Sequence, residues 1–252
     1  MIKFYIPDGH LEKKARGLFE RAGFRVSISE RGYNPEIDDA GIVMKRIRPQ
    51  DFPFVLSLGK GDVAITGSDI LREFQLQYPD EGKTIGELMD LKFGETKLIV
   101  AVSEDVFPDV TDIGDFKKYA SELKKKKKKV VVATEYQAIA KDYLSGKGID
   151  AIIRKPAGKT EAWIIPPMPE ADLIIETTET GTTLMENRCR IIDTVMTASA
   201  RLIVCKDSLK NKEKKRKIDE IVMLFKGALV GKGKVNVYMN VVDPDKLDDV
   251  LG

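Results

Sequence analysis

Short apolar runs and helix-length amphipathic segments take turns along almost the whole chain, and this alternation is the strongest constraint on its fold. Residues 2–6 (IKFYI) read as a strand, and 10–23 follow with Leu11, Ala15, Leu18, Phe19 and Ala22 at helical spacing and Gly23 as a stop. The same reading places strands over 24–29, 41–47, 62–67, 96–103, 129–134, 150–155, 172–175, 199–205 and 234–241. Helices fall after Pro49, after Ser68 as a cap, over 115–127, over 135–148, after Thr183 and over 207–231. In the last of these, Ile218, Ile221, Val222, Leu224, Phe225 and Leu229 form an apolar stripe that must be buried. Such alternation predicts an α/β fold with largely parallel sheets, in which ligands sit beyond the carboxyl ends of the strands. Distinctive turns fall at those ends: Pro7-Asp8-Gly9-His10, Thr66-Gly67-Ser68-Asp69, Thr134-Glu135-Tyr136 and 177–183. Their clustering predicts two lobes with a cleft between them.

A chain of 252 residues, 42% apolar and 33% charged, can bury a sizeable core without staples. Cys189 and Cys205 form no disulfide framework and are expected to be reduced thiols. No run approaches the roughly 20 apolar residues of a membrane span, and the first residues lack the features of a signal peptide. A cytoplasmic protein is expected. The net charge of +2 gives no global field for nucleic acid. Residues 124–129 are all lysine and 210–217 read KNKEKKRK, but no aromatics interleave with them to stack bases, so they read as solvated surface. His10 is the single histidine and no Cys-x-x-Cys occurs, which argues against a multi-histidine or structural zinc site.

The segment 172–191, DLIIETTETGTTLMENRCRI, carries the most chemistry. Its apolar run stops at Glu176 and is followed by a loop of threonines and one glycine before a helical pattern. One reading is a plain strand-to-helix turn. The other is a phosphate pocket, in which Gly181 lets the backbone approach an oxygen and Thr180, Thr182 and Thr183 donate hydroxyl hydrogens.

Acids just before a T-G-x-T loop are what a phosphoribosyl donor needs, and this loop resembles that of the phosphoribosyltransferases. It is most similar to the D-L-V-x-T-G-x-T-L-x-x-N loop of the ATP phosphoribosyltransferase family, which opens histidine biosynthesis. Further segments resemble that family in order: RPQDFP (48–53), GDVAITGSDILRE (61–73), LKFGETKLIVAV (91–102), VVATEYQAIAKDYLSGKGI (131–149) and TASARLIV (197–204). The resemblance implies a two-lobed catalytic core like a type II periplasmic binding protein. Its first lobe would be 1–97 plus 191–208 and its second 98–190, followed by a short helix–strand extension over 209–252. It implies transfer of phosphoribose to N1 of ATP with release of pyrophosphate, with Mg²⁺, no direct protein ligands to metal, and a homo-oligomer, dimer or hexamer. Substrate binding would fall to Glu176, Glu179, Thr180, Gly181, Thr182 and Thr183, with Gly67, Asp69, Thr134 and Tyr136. Glu176, Arg48 and His10 are candidates for catalysis.

The chain departs from the family at several turns. A first turn like P-K-G-R-L reads here Pro7-Asp8-Gly9-His10-Leu11, and Glu135 stands where a lysine is expected. Positive charge would then come from Lys45, Arg46, Arg48, Lys97, Arg154 or Lys155. A paralogue with another acceptor or none, or a bilobal small-ligand-binding protein, are the other readings. Residues 234–252 resemble the opening of the long-form family's histidine-binding regulatory domain. One strand and one helix do not complete that domain, so the expectation is either truncation or a strand that pairs with another subunit; 234–241 are expected to be disordered or matched with a neighbouring subunit, and histidine to inhibit weakly or not at all.

Overall fold

The computed structural model describes residues 1–29 and 32–231; the strand read over 234–241 and the extension beyond 231 lie outside the described residues. Twelve strands form among these residues. They are β1 (Ile2–Pro7), β2 (Val26–Ser27), β3 (Glu36–Ile37), β4 (Ile42–Ile47), β5 (Val63–Gly67), β6 (Ile85–Asp90), β7 (Thr96–Ser103), β8 (Val130–Ala133), β9 (Ala151–Arg154), β10 (Leu173–Thr178), β11 (Cys189–Ala198) and β12 (Ala200–Cys205). The helices are α1 (Glu12–Arg21), α2 (Phe52–Ser57), α3 (Ser68–Gln77), α4 (Pro79–Gly82), α5 (Ile113–Lys125), α6 (Gln137–Lys147), α7 (Thr182–Glu186) and α8 (Lys212–Val230). None of these is long and apolar enough to cross a membrane.

Two five-stranded sheets organise two lobes. The first runs β4-β1-β5-β12-β6 and the second β11-β7-β10-β8-β9. In the first, β1 pairs parallel with β4 and β5, while β12 runs antiparallel to β5 and β6. In the second, β8 pairs parallel with β9 and β10, while β7 runs antiparallel to β10 and β11. The sheets are therefore mixed, not largely parallel. The antiparallel strands are the ones that carry the chain between lobes and back.

Strand β1, inside the sheet between β4 and β5, is buried on both faces, as a strand covered by helices on each side should be. Phe4 meets Phe19 of α1 and lies near Phe225 of α8, with Phe19 and Phe225 edge to face at 4.9 Å. On the opposite face Tyr5 packs with Phe52 and Leu56 of α2 and Leu71 and Phe74 of α3. The stripe of α8 is buried as its spacing required: Ile218, Ile221 and Phe225 enter this core, with Val222, Leu224 and Leu229 packed partly against it. In the second lobe Phe116 of α5 and Ile139, Ala140 and Leu144 of α6 cover one face of the sheet. Ile164 and Leu184 cover the other.

The chain crosses between lobes twice, after β6 and between β11 and β12, and the crossings are tied together. Leu91 N donates to Ala200 O and Ala200 N to Phe93 O, both at 2.9 Å. Ser199 Oγ donates to Asp90 Oδ1 at 3.0 Å. Residues 191–198, grouped with the first lobe on the sequence, pair with β7 in the second sheet, so the return crossing falls at Ser199. Ser68 begins α3 instead of capping it: Gly67 is the cap, and Ser68 Oγ accepts from Ser199 N across the crossing.

Candidate functional site

A cleft of about 210 Å³ opens where the two lobes face each other. Its walls come from residues just past the strands: Asp8, Gly9 and His10 after β1, Arg48, Pro49 and Gln50 after β4, and Gly67 and Asp69 at the end of β5. The second lobe supplies Glu135 and Tyr136 after β8 and Glu176 and Thr177 near the end of β10. This is the position that open α/β sheets reserve for ligands. An adjoining hollow of about 380 Å³ shares Gln50, Ile70, Glu135 and Tyr136 and adds Glu73, Gln137 and Lys155.

Of the residues singled out on the sequence, the cleft brings together His10, Arg48, Gly67, Asp69, Tyr136 and Glu176. Thr134 is buried behind it and shapes it indirectly: its Oγ1 accepts from Tyr136 N at 2.9 Å and fixes the turn that presents the phenol. Glu179, Thr180, Thr182 and Thr183 are exposed on the loop above Glu176 and do not line this cavity. Gln50, Thr96 and Ser199 line it without having been singled out. They lie within segments that resemble the family, but it is the crossing of the chain between lobes that brings Thr96 and Ser199 to the cleft.

Tyr136 is the hub. Its hydroxyl donates to Asp69 Oδ2 at 2.6 Å, from the second lobe to the first. Burial, and then the Asp69 carboxylate, push the phenol far above its ordinary value, so Tyr136 stays a neutral donor throughout the physiological range. Asp69 is only 6% exposed. A Cβ on Gly67 would collide with its carboxylate oxygen, which is why glycine stands there. Glu176 Oε1 accepts from Thr177 N at 2.8 Å and from Thr177 Oγ1 at 3.1 Å.

Arg48 is the arginine of the cleft and shares its lining with four carboxyl groups, those of Asp8, Asp69, Glu135 and Glu176. Its Nε lies 3.5 Å from Asp8 Oδ2, and the guanidinium side chain is 73% exposed. Asp8 Oδ1 is buried with no hydrogen-bond partner. Of the other cations proposed to supply charge, Lys155 lines the adjoining hollow. Arg46 is engaged with Glu12 at 3.2 Å, and Arg154 donates to Ile153 O at 3.1 Å. His10 is exposed on the rim. Among the described residues no group of three or more His, Cys, Asp or Glu stands together in a metal-binding arrangement.

The loop from Thr178 to Thr183 is organised by its own hydroxyls. Gly181 N donates to Thr178 Oγ1 at 2.8 Å, and the Thr180 and Thr182 hydroxyls share a hydrogen bond at 2.9 Å. Gly181 adopts φ +79°, the left-handed conformation, and caps α7. Antiparallel pairing of Glu176, Thr177 and Thr178 with Ile99, Leu98 and Lys97 holds the base of the loop at the cleft.

The chain is similar to known proteins over most of its length. The family described as HisG, ATP phosphoribosyltransferase, matches over residues 48–227. The ATP phosphoribosyltransferase of Archaeoglobus fulgidus is 44% identical over 206 residues, covering 81% of this chain and 71% of that protein. Among solved structures, the ATP phosphoribosyl transferase (HisG:HisZ) complex from Thermotoga maritima superposes with a TM-score of 0.68 at 22% identity, covering 90% of this chain and all of that one. A probable amino-acid transporter binding protein from Bacillus subtilis superposes with a TM-score of 0.53 at 13% identity, covering 92% of this chain and 93% of that one. The low identities carry the fold alone, and they place it with the two-lobed binding-protein architecture. The matched span runs from Arg48 through both lobes into α8, and this chain belongs to the ATP phosphoribosyltransferase family.

Proposed function

We propose that the cleft between the lobes carries out the reaction of the family, joining N1 of ATP to C1′ of phosphoribosyl pyrophosphate with release of pyrophosphate, the first step of histidine biosynthesis. The observation that carries this reading is the convergence of Asp69, Tyr136, Glu176 and Arg48 on one cavity at the foot of the Thr178–Thr183 loop, within the span that matches the family.

The donor's 5′-phosphate sits on the loop, with Thr180, Thr182 and Thr183 as hydroxyl donors and Gly181 allowing close approach. Glu176 and Glu179 accept from the ribose hydroxyls. In the reaction the C1′–O bond to pyrophosphate breaks as the N1–C1′ bond forms, and the electron pair leaves with pyrophosphate. Positive charge develops on the ribose and passes to the adenine ring. The protein's contribution is positioning and charge compensation. Glu176 lies nearest the ribose and counters its developing charge, while the exposed Arg48 guanidinium meets phosphate oxygens. Tyr136 and Asp69 form the floor that orients the reactants, and His10 lies at the rim.

Mg²⁺ bound with the pyrophosphate chain would supply charge neutralisation for the leaving group. Glu176 and Asp69, two of the carboxylates of the cleft, would accept from its water shell. The protein is proposed to work in the cytoplasm as a homo-oligomer, a dimer or hexamer; β11 lies at the open edge of the second sheet with Ile191 40% exposed, a surface suited to a second copy.

Mixing the chain with ATP, phosphoribosyl pyrophosphate and Mg²⁺ tests the reading. The expected result is the N1-adduct, seen as a rise in near-ultraviolet absorbance with pyrophosphate released in equal amount. Binding of phosphoribosyl pyrophosphate without adduct would assign a different acceptor, as Asp8 and Glu135 in the cleft would favour. No binding of either substrate would overturn the assignment of the cleft.

A further inference from the structure

Helix α3 presents one stripe to the other lobe. Asp69, Arg72, Glu73 and Leu76 stand at positions i, i+3, i+4 and i+7, a single helical face. Asp69 accepts from the Tyr136 hydroxyl at 2.6 Å, Arg72 pairs with Asp142 at 3.3 Å, and Leu76 packs on the core of the second lobe. Glu73 makes the most specific contact of the four. Its two carboxylate oxygens accept from the backbone amides of Ala138 and Ile139, each at 2.8 Å.

These amides open α6 (Gln137–Lys147), whose own cap residue, Tyr136, provides no side-chain cap. The first amides of a helix have no partner within it, and a carboxylate beside them also meets the positive end of the helix dipole. The cap that α6 needs is therefore supplied by the other lobe, from a residue 65 positions earlier. No ion pair among the described residues engages Glu73, so its carboxylate serves these two amides alone. Tyr136 immediately precedes the capped turn, and its phenol reaches back to Asp69 one turn before Glu73 on the same helix. The three residues close a loop of contacts around the cleft floor.

We infer that Glu73 is a positioning residue for the cleft: from the first lobe it caps α6 of the second, and so holds Tyr136 against Asp69. Any separation of the lobes at this seam must break both carboxylate bonds at once. Closure of the cleft and placement of the phenol are thus one event. This inference rests on the proposed function only for its kinetic consequence; the geometric consequence is independent of it.

The test compares Glu73→Ala and Glu73→Gln with Tyr136→Phe as the reference. Alkaline titration followed by tyrosine absorbance reads the phenol directly. In the parent protein Tyr136, buried and bonded to Asp69, is expected to stay un-ionised through the ordinary tyrosine range. In Glu73→Ala one further tyrosine should become titratable there, and that extra tyrosine should vanish when Tyr136→Phe is added. Glu73→Gln retains one accepting oxygen and should restore part of the shielding. Under the proposed reaction, Glu73→Ala should lower kcat/KM roughly tenfold or more, most of it shared with Tyr136→Phe in the double variant. An unchanged tyrosine titration in a folded Glu73→Ala protein would overturn the inference whether or not the chain turns over ATP. Altered titration with no adduct formed by the parent protein would leave the inference standing and remove the functional reading instead.

Discussion

Asp8 shows how one side chain tunes a cleft meant for anions. It stands where the family resemblance implies a lysine, it pairs loosely with Arg48 at 3.5 Å, and its second oxygen is buried without a partner. A carboxylate in that setting repels phosphate oxygens and competes with them for the guanidinium. Asp8→Asn should therefore lower KM for the anionic substrates about fivefold, equivalent to about 1 kcal/mol for an exposed pair, with little change in kcat. Steady-state kinetics at low salt check this, and a rise in KM would show that the carboxylate holds Arg48 in its working position. At this scale the sequence was informative wherever chemistry is local. Asp69 opens α3 just past β5, Tyr136 lies in the turn after β8 and Glu176 stands near the end of β10, and the structure brings them to one cleft. Glu73 and Ser199 escaped notice because their partners are 65 or more positions away, and nothing in a local window reports a cap supplied from another lobe.

The same distinction separates the elements that were legible from those that were not. Helix α8 was readable from its stripe, and the strands of the core from their apolar runs. Strand β11 was missed because two register shifts, between Ile191 and Asp193 and between Thr194 and Met196, break its alternation. Strand β6 was missed because it is an edge strand, mostly half-buried, with Gly86 and Glu87 interrupting its apolar residues. What fastens α8 to the first sheet was equally hidden. Buried Asp62 accepts from Lys3 N and Lys214 Nζ at 2.7 Å each and from Ser208 Oγ, tying β1, β5 and the start of α8 into one knot. Burial alone would push the Asp62 carboxyl up, but hydrogen bonds from Lys214, Ser208 and the Lys3 amide outweigh it and hold the group below the usual range. A depressed folded-state value stabilises above the unfolded carboxyl value near 3.9, and that contribution is lost as pH falls through the folded value. Asp62→Asn should cost about 2 kcal/mol at neutral pH. In urea unfolding, its deficit relative to the parent chain should shrink below about pH 4. A deficit that stays constant down to pH 2 would show that the charge of Asp62 contributes nothing.

Across the whole molecule, the alternation of strands and helices was enough to read an α/β fold with two lobes. The mixed direction of the sheets was not readable, because the antiparallel pairings of β7, β11 and β12 arise from the chain crossing between lobes and returning. Those crossings set the cleft. They place Glu176 and Thr177, at the foot of the loop that follows, in one cavity with Arg48 and Asp69, and they let α3 clasp α6 beside it. The loop itself, quiet and satisfied by its own threonines, is the part of the site on which the functional account depends most. A crystal structure of the chain with phosphoribosyl pyrophosphate is the most direct measurement. The account predicts the 5′-phosphate on the backbone amides and hydroxyls of residues 180–183, the ribose hydroxyls at Glu176, and the pyrophosphate in the cleft toward Arg48. Ligand density elsewhere, with the loop still closed on its own hydroxyls, would contradict it.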